Sequence, residues 1–353
     1  MQKTYLVTGA AGFIASRFIE SCNQRGIAVI SVDRIPLFRE RMENRDLDFG
    51  RLLDLEELLP LLKDSNDSAH LKPTANSPGA NPLEISAVVH LGAITDTRES
   101  DPLLLRRLNL EYTQALWDFA ARAKLPFVYA SSAATYGDGA FGYDDQESLI
   151  SSLKPLNAYG NSKLQFDLWA LEQEKGGSHP PQWCGFKFFN VYGFGERHKG
   201  FMSSVVLHSY DEILKSGKVT LFKSHREEIE DGFQKRDFIF VEDVVEALHF
   251  AMTKPIARGI YNLGTGRART FLDLAKAVFQ VLQIPENIHF VDTPEKIRDK
   301  YQYFTEAKMG RLCQQGFDLQ FTSLEEGVQK YVTRLNGAKK NRVFQAKKVE
   351  QTI

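Results

Sequence analysis

The chain has 353 residues, of which 43% are hydrophobic and 25% charged, with a formal net charge of −1. This is an ordinary globular composition with room for one large domain or two modest ones, and its charge gives no long-range pull towards nucleic acid or a membrane surface. Cys22, Cys184 and Cys313 are its three cysteines, too widely spaced for a disulfide framework or a zinc site, so a reducing cytosol and no metal are expected. No apolar run approaches the ~20 residues that span a bilayer. The chain runs straight into a strand with no charged leader, which predicts a cytoplasmic protein.

In chain order, residues 4–8 (Thr-Tyr-Leu-Val-Thr) read as a buried strand. Gly9, Ala10, Ala11 and Gly12 follow, then a helical pattern through Phe13, Ile14, Phe18, Ile19 and Cys22. Strand, glycine turn and helix form the setting in which a backbone binds a dinucleotide. Gly9 permits the turn, Gly12 lets the pyrophosphate approach the helix N-terminus, and Ala15 stands in the third glycine position. Residues 28–33 form a second strand ending in Asp33, an acid placed to accept from the adenosine ribose, which favours NAD. Arg34, with Arg39, Arg41 and Arg45 close behind, favours NADP, since a guanidinium can neutralise a 2′-phosphate. NADP is the expectation, with NAD as the alternative. A strand at residues 51–55 would bring Asp54 and Leu55 to the adenine.

Residues 65–82, rich in Ser, Asn, Asp, Pro and Gly, read as a surface loop. Residues 85–91 resume the sheet, ending at His90 and Leu91, and Gly92 and Ala93 would let the backbone meet the cofactor. His90 is expected to be packed rather than catalytic. A helix over residues 106–123 carries Asn109, which could tie it to the cofactor strand. Residues 126–132 form the next strand, breaking at Ser131 and Ser132, where a hydroxyl can orient a substrate alcohol. Tyr159 and Lys163, four apart, share one face if residues 156–163 are helical. A phenol near pKa 10 is a poor base at neutral pH, and an adjacent ammonium is expected to lower it.

Glycine loop, strand-end acid, strand-end serine and Tyr159–Lys163 stand in an order that resembles the extended short-chain dehydrogenase/reductase superfamily of nucleotide-sugar epimerases and dehydratases. The runs Phe188-Phe189-Asn190-Val191-Tyr192-Gly193, Arg236-Asp237-Phe238 and Tyr261-Asn262-Leu263-Gly264 extend the likeness over residues 3–335. It implies an α/β fold, a Rossmann-type doubly wound parallel sheet with a smaller C-terminal substrate-binding lobe. The expected division is residues 1–190 for the dinucleotide, 191–335 mainly for the substrate, with 236–265 returning to the first part, and 336–353 as a basic flexible tail. It also implies that Tyr159 is the acid/base, that Lys163 binds the nicotinamide ribose, and that Ser132 assists at the substrate hydroxyl. Val191 falls on a cofactor position.

Dehydratases carry an Asp-Glu pair after the hydroxyl residue; here Ala133 and Ala134 stand there, which argues against elimination. The segment Glu196-Arg197-His198-Lys199-Gly200-Phe201 is similar to one found in ADP-heptose 6-epimerases. There the lysine is a second acid/base that also touches the cofactor, a role falling on Lys199. Substrate contacts then fall on Ser132, Asn190, Phe201, His208, Phe222, Arg236 and Tyr301. The implied reaction inverts a secondary carbinol through a transient ketone with tightly bound NADP and re-reduction on the opposite face, Tyr159 and Lys199 serving one epimer each. The resemblance implies a homo-oligomer acting on a nucleotide sugar, without nucleic acid or membrane as partner. Lys187 in place of the more usual Arg, Phe194 in place of Pro, Phe201 in place of Ser and the acidic segment 224–231 depart from the pattern and leave the sugar open. The alternatives are another nucleotide-sugar 4-epimerase or reductase, and a non-catalytic NADP-binding regulator.

Overall fold

The computed structural model describes residues 3–64, 69–71, 83–92, 94–298 and 301–350; Ala93 and most of the 65–82 segment fall outside them. Seven strands form one parallel sheet: β1 (Thr4–Thr8), β2 (Ala28–Asp33), β3 (Arg51–Asp54), β4 (Ala87–His90), β5 (Phe127–Ser132), β6 (Trp183–Phe188) and β10 (Gly259–Leu263). Their order across the sheet is β10-β6-β5-β4-β1-β2-β3. The chain starts in β1, walks outward through β2 and β3, then crosses back to β4 on the other side. The β1/β4 junction is therefore the switch point of a doubly wound sheet, and a ligand crevice opens beyond the carboxyl ends of these strands.

Both sheet faces are covered, and the period-two pattern divides neighbours cleanly. Val7, Val89, Val128 and Tyr261 face α1 (Phe13–Gln24) and α6 (Val241–Thr253), meeting Phe18, Ile19, Val244 and Leu248. Leu6, Val88, Phe127 and Ile260 face the other way, towards Leu116 and Trp117 of α3 (Tyr112–Arg122) and Phe166 of α4 (Ala158–Gly176). Thus α6 and β10, late in the chain, complete the large sheet.

A third core lies apart from these two. It packs Val206, Leu207 and Ile213 of α5 (Val205–Ser216) against Leu274 and Val278 of α7 (Phe271–Leu282) and Val328, Val332 and Leu335 of α8 (Leu324–Glu350). Strands β7 (Asn190–Tyr192), β9 (Lys235–Phe240) and β11 (Ala268–Thr270) form a small sheet beside it, ordered β11-β9-β7. A parallel pair, β8 (Val219–Phe222) and β12 (Ile288–Val291), closes its edge. Phe13, at the start of α1, is buried in this third core and joins the two halves. The segment expected to be a flexible tail continues α8 as far as Glu350; buried Tyr331, Val332 and Leu335 anchor the helix from which it extends.

The helix expected at 106–123 has two windings. Arg106–Glu111 is a π-helix, and α3 starts at Tyr112. Such windings insert a residue and turn side chains off the ordinary helical face, often at functional sites. Asn109 is the buried residue of this segment.

Candidate active site

Tyr159, Lys163 and Ser132 are brought together by the packing of α4 against the end of β5. Asn157 caps α4, its Oδ1 accepting from the Gly160 amide at 2.8 Å, so the helix begins one residue before Tyr159. A Cβ at Gly160 would lie 2.7 Å from the Ala134 carbonyl oxygen; only glycine lets this turn rest on the short helix that follows Ser132. The Ser132 hydroxyl accepts from the Ala134 amide at 3.1 Å. Lys163 is buried, and its ammonium donates to the Ala130 carbonyl at 2.7 Å. Burial lowers its pKa to about 8, with Asp167 opposing.

The phenol departs from the expectation. Burial holds the Tyr159 pKa above its ordinary value, the neighbouring Ser132 hydroxyl pulling it down and the Asp167 charge pushing it up. Lys163, expected to lower it, is not among the groups that shift the phenol here: burial dominates, and the Lys163 ammonium donates to Ala130.

A cleft of about 1020 Å³ opens at the β1/β4 switch point. Gly9, Gly12, Phe13, Ile14, Asp33, Arg34, Asp54, Leu55, Leu91 and Gly92 line it, as does Lys199. Gly9 has φ +67°, and a Cβ there would lie 2.4 Å from the Gly92 Cα, so two glycines allow β1 and β4 to end in contact. The Asp33 carboxylate accepts from the Ala11 and Arg34 amides at 3.1 and 2.9 Å, and Arg41 donates to the Ala11 carbonyl. His90 lies buried between Thr8 (2.6 Å) and Thr113 (2.9 Å), and burial keeps it neutral with its pKa near 3.

Asn109 and Val191, both expected at the cofactor, do not line this cleft; Val191 sits half-buried in β7. Asn109 has a bridging place instead. Its amide exchanges hydrogen bonds with the Ile94 backbone at 2.8 and 3.0 Å and donates to Ser162 at 3.0 Å, linking the cleft wall to the residue before Lys163.

Lys199 enters from the opposite half of the molecule. It rides on a 3-10 segment, Arg197–Met202, broken at Gly200 (φ 55°). Its ammonium lies over the Phe13 ring, 5.6 Å from the centroid, and burial lowers its pKa against the pull of Glu196. Glu196 is fully buried. Its carboxylate accepts from the Ser204 amide and hydroxyl, both at 2.6 Å, while its carbonyl accepts from the Lys199 amide at 2.9 Å. Arg197 pairs with Asp211 at 2.6 Å, and its amide donates to Glu43 at 3.0 Å.

A second group gathers on the small-sheet side. Arg236 lies against the Tyr301 and Phe271 rings, Phe222 meets Tyr301 edge-on, and His225 packs against Tyr301 and Tyr303. Asn190 is exposed, beside Phe238 in the small sheet. His208 stands exposed on α5, and Phe201 is 85% exposed; neither joins the aromatic group among the described contacts.

Among the residues the sequence did not single out are Tyr112 and His198, which line the cleft, and Asp167, one turn beyond Lys163. Continuing the Tyr159–Lys163 spacing by four would have reached Asp167.

The model of the NAD dependent epimerase/dehydratase family matches residues 5–264. The chain belongs to this family. It is 40% identical over 338 residues, covering 93% of this chain and 96% of the relative, to an ADP-L-glycero-D-manno-heptose-6-epimerase of Fusobacterium nucleatum. An enzyme of the same name from Nitratidesulfovibrio vulgaris is 39% identical over 334 residues, covering 94% and 97%. Among solved structures, an ADP-L-glycero-D-manno-heptose-6-epimerase of Helicobacter pylori superposes with a TM-score of 0.75 at 23% identity, covering 95% of this chain and 96% of that one, a likeness of fold.

The cleft fits the dinucleotide on which the family depends. The first amides of α1 follow Gly12 without a side-chain cap or an acidic first turn, leaving donors free for a pyrophosphate. The Tyr112 hydroxyl is buried at the cleft wall with no hydrogen-bond partner among the described residues, near enough to Asp33 and Asp54 for their charges to raise its pKa further.

Proposed function

We propose that the chain is an isomerase that interconverts ADP-D-glycero-D-manno-heptose and ADP-L-glycero-D-manno-heptose at C6, supplying precursors of the lipopolysaccharide core in the cytoplasm. The observation that carries this reading is Lys199, which lines the dinucleotide cleft from a loop of the second half while Tyr159, Lys163 and Ser132 come from the first. Relatives at 39–40% identity over nearly the whole chain bear the name of that activity. Elimination is disfavoured because Ala133 and Ala134 offer no acid beside Ser132.

The carbinol hydrogen at C6 is not acidic, so inversion goes through a flat ketone whose exposed arm can turn. When bound, the dinucleotide supplies reversible hydride acceptance and, oxidised, a positive charge. Tyr159 exchanges the carbinol proton on one side, and Ser132 orients that oxygen. Lys163 holds its ammonium beneath the site through Ala130. Lys199 exchanges the proton of the other epimer, and its lowered pKa brings an amine within reach of base catalysis. Arg236, flanked by Tyr301 and Phe271, suits a diphosphate, because a guanidinium bonds two oxygens at once. Arg34 and Arg41 beside Asp33 favour NADP over NAD. A homo-oligomer is part of the same reading, as is the division at about residue 190 with 191–335 forming the substrate lobe.

Incubation with one pure ADP-heptose epimer, without added cofactor, should yield a mixture of the two C6 epimers on chromatography. Turnover of a UDP-hexose with no heptose interconversion would replace this reading with a 4-epimerase.

A further inference from the structure

The floor beneath Ser132 and Tyr159 holds two opposite charges with no exposure at all. Asp167 on α4 and Lys187 on β6 are both 0% exposed, and the Lys187 ammonium lies 2.5 Å from Asp167 Oδ2. An ion pair this deep gives little net stability, since the desolvation of both charges offsets their attraction. Its partners suggest another use. The Tyr129 hydroxyl donates to Asp167 at 2.9 Å and the Ser131 hydroxyl at 2.7 Å. Lys187 also donates to the Thr135 hydroxyl at 2.8 Å, which in turn donates to the Ser132 carbonyl at 2.8 Å. Lys163 holds the Ala130 carbonyl.

Four successive residues at the end of β5 are thus tied down one by one. Tyr129 and Ser131 bind Asp167, Ala130 binds Lys163, and Ser132 is reached from Lys187 through Thr135. Side chains alternate along a strand, so seating Ser131 on Asp167 also fixes how the next residue, Ser132, is turned. Asp167 also lies one turn below Lys163 and two below Tyr159, on the same side of α4. The pair therefore joins the strand that carries the serine to the helix that carries the tyrosine and lysine.

We infer that Asp167 and Lys187 are positioning residues, which through Ser131 and Thr135 hold the Ser132 end of β5 in register with the Tyr159–Lys163 face of α4 and so set turnover rather than substrate affinity. This rests on the roles proposed above for Ser132, Tyr159 and Lys163. The titratable groups facing Asp167 are Lys187, Tyr129, Tyr136, Lys163 and Tyr159, with His90 facing Lys163 from β4.

The test is kcat and KM for ADP-heptose in the full-length, cofactor-loaded protein, normalised to nucleotide released on denaturation. Lys187→Met should lower kcat by about tenfold or more with KM nearly unchanged, because small misplacements of reacting groups cost that much. Lys187→Arg, which keeps charge and donors, should restore most of it. Thr135→Val leaves the ion pair intact and cuts only its link to Ser132; it should lower kcat several-fold. Full turnover in Thr135→Val overturns the inference even if Lys187→Met fails to fold, as does a loss confined to KM. A substrate-free reading separates this idea from the functional one. In protein labelled with 15N at lysine Nζ, the Lys163 titration should fall by about one pH unit in Asp167→Asn, since an opposite charge raises an ammonium pKa. An unmoved Lys163 titration removes the inference, whereas a wild type inactive on ADP-heptose removes the functional reading and leaves this measurement standing.

Discussion

The two proposed proton carriers are mounted in different ways. Tyr159 stands on a helix of 19 residues, over a sheet whose strand end is pinned residue by residue to buried charges. Lys199 stands on a short segment interrupted at Gly200 and braced by side chains, with Glu196 beneath it and Arg197 strapped to Asp211. One is held by the sheet core, the other by a few polar contacts over a third core. A sugar that must be addressed from two sides needs such separate supports, because one rigid element cannot present donors to both faces. The contrast predicts that errors beneath Tyr159 cost folding and chemistry together, while errors around Lys199 cost chemistry with little folding.

The largest effects should come from the carriers themselves. Tyr159→Phe should reduce epimerisation by about a thousandfold, and Lys199→Met by about a hundredfold, within the usual range for losing a general acid/base. Both should keep their cofactor and melting temperature, checked by released nucleotide and calorimetry. Inversion surviving in Lys199→Met would break the comparison outright, since Tyr159 would then serve both epimers alone.

Next come the supports. A Cβ at Gly185, in β6, would lie 2.3–2.6 Å from the ring of Tyr129, the residue that donates to Asp167. Gly185→Ala should lower unfolding free energy by about 2 kcal/mol through overpacking, measured by urea denaturation, with activity falling in step. Glu196→Gln should cost about tenfold in turnover with little change in stability, the sort of split that marks a positioning role. It should also move a pH limb. Glu196 raises the Lys199 pKa, so removing its charge lets burial lower that pKa further, and the limb set by deprotonation of Lys199 should shift to lower pH. A shift to higher pH would mean that Glu196 does not act on Lys199.

This contrast was only half legible in the sequence. The sheet, the glycine contact and the Tyr159–Lys163 face follow from local patterns: apolar strands, two glycines at strand ends, a spacing of four. Lys187 could be noted only as an unusual lysine, because its partner Asp167 lies 20 residues away and the strand-to-helix packing that joins them is not a local property. Asn109, expected to tie its helix to the cofactor strand, bonds the backbone of Ile94 just beyond that strand, while its further bond to Ser162 depends on packing that sequence does not show. The phenol was expected to be easily ionised because spacing reveals an adjacent lysine but not the burial of both. Phe201 and His208 came from position in a motif alone, and motif position does not report exposure.

Gly200 gives the smallest and sharpest test. Its φ of 55° lies in the left-handed region, yet a Cβ built there meets nothing within 4 Å. Gly200→Ala therefore changes backbone preference without a clash, unlike Gly185→Ala, where the space itself is missing. With ψ at −121° the residue lies outside the left-handed helical well, and a non-glycine residue there costs on the order of 1–3 kcal/mol. If the loop is held only by Glu196 and Arg197, it should yield to that cost, with Lys199 less often in place and turnover down by about fivefold or more at an unchanged melting temperature. If the loop were as firmly built as the floor, the same cost would appear in the melting temperature instead, and turnover per folded molecule would stay at the wild-type value.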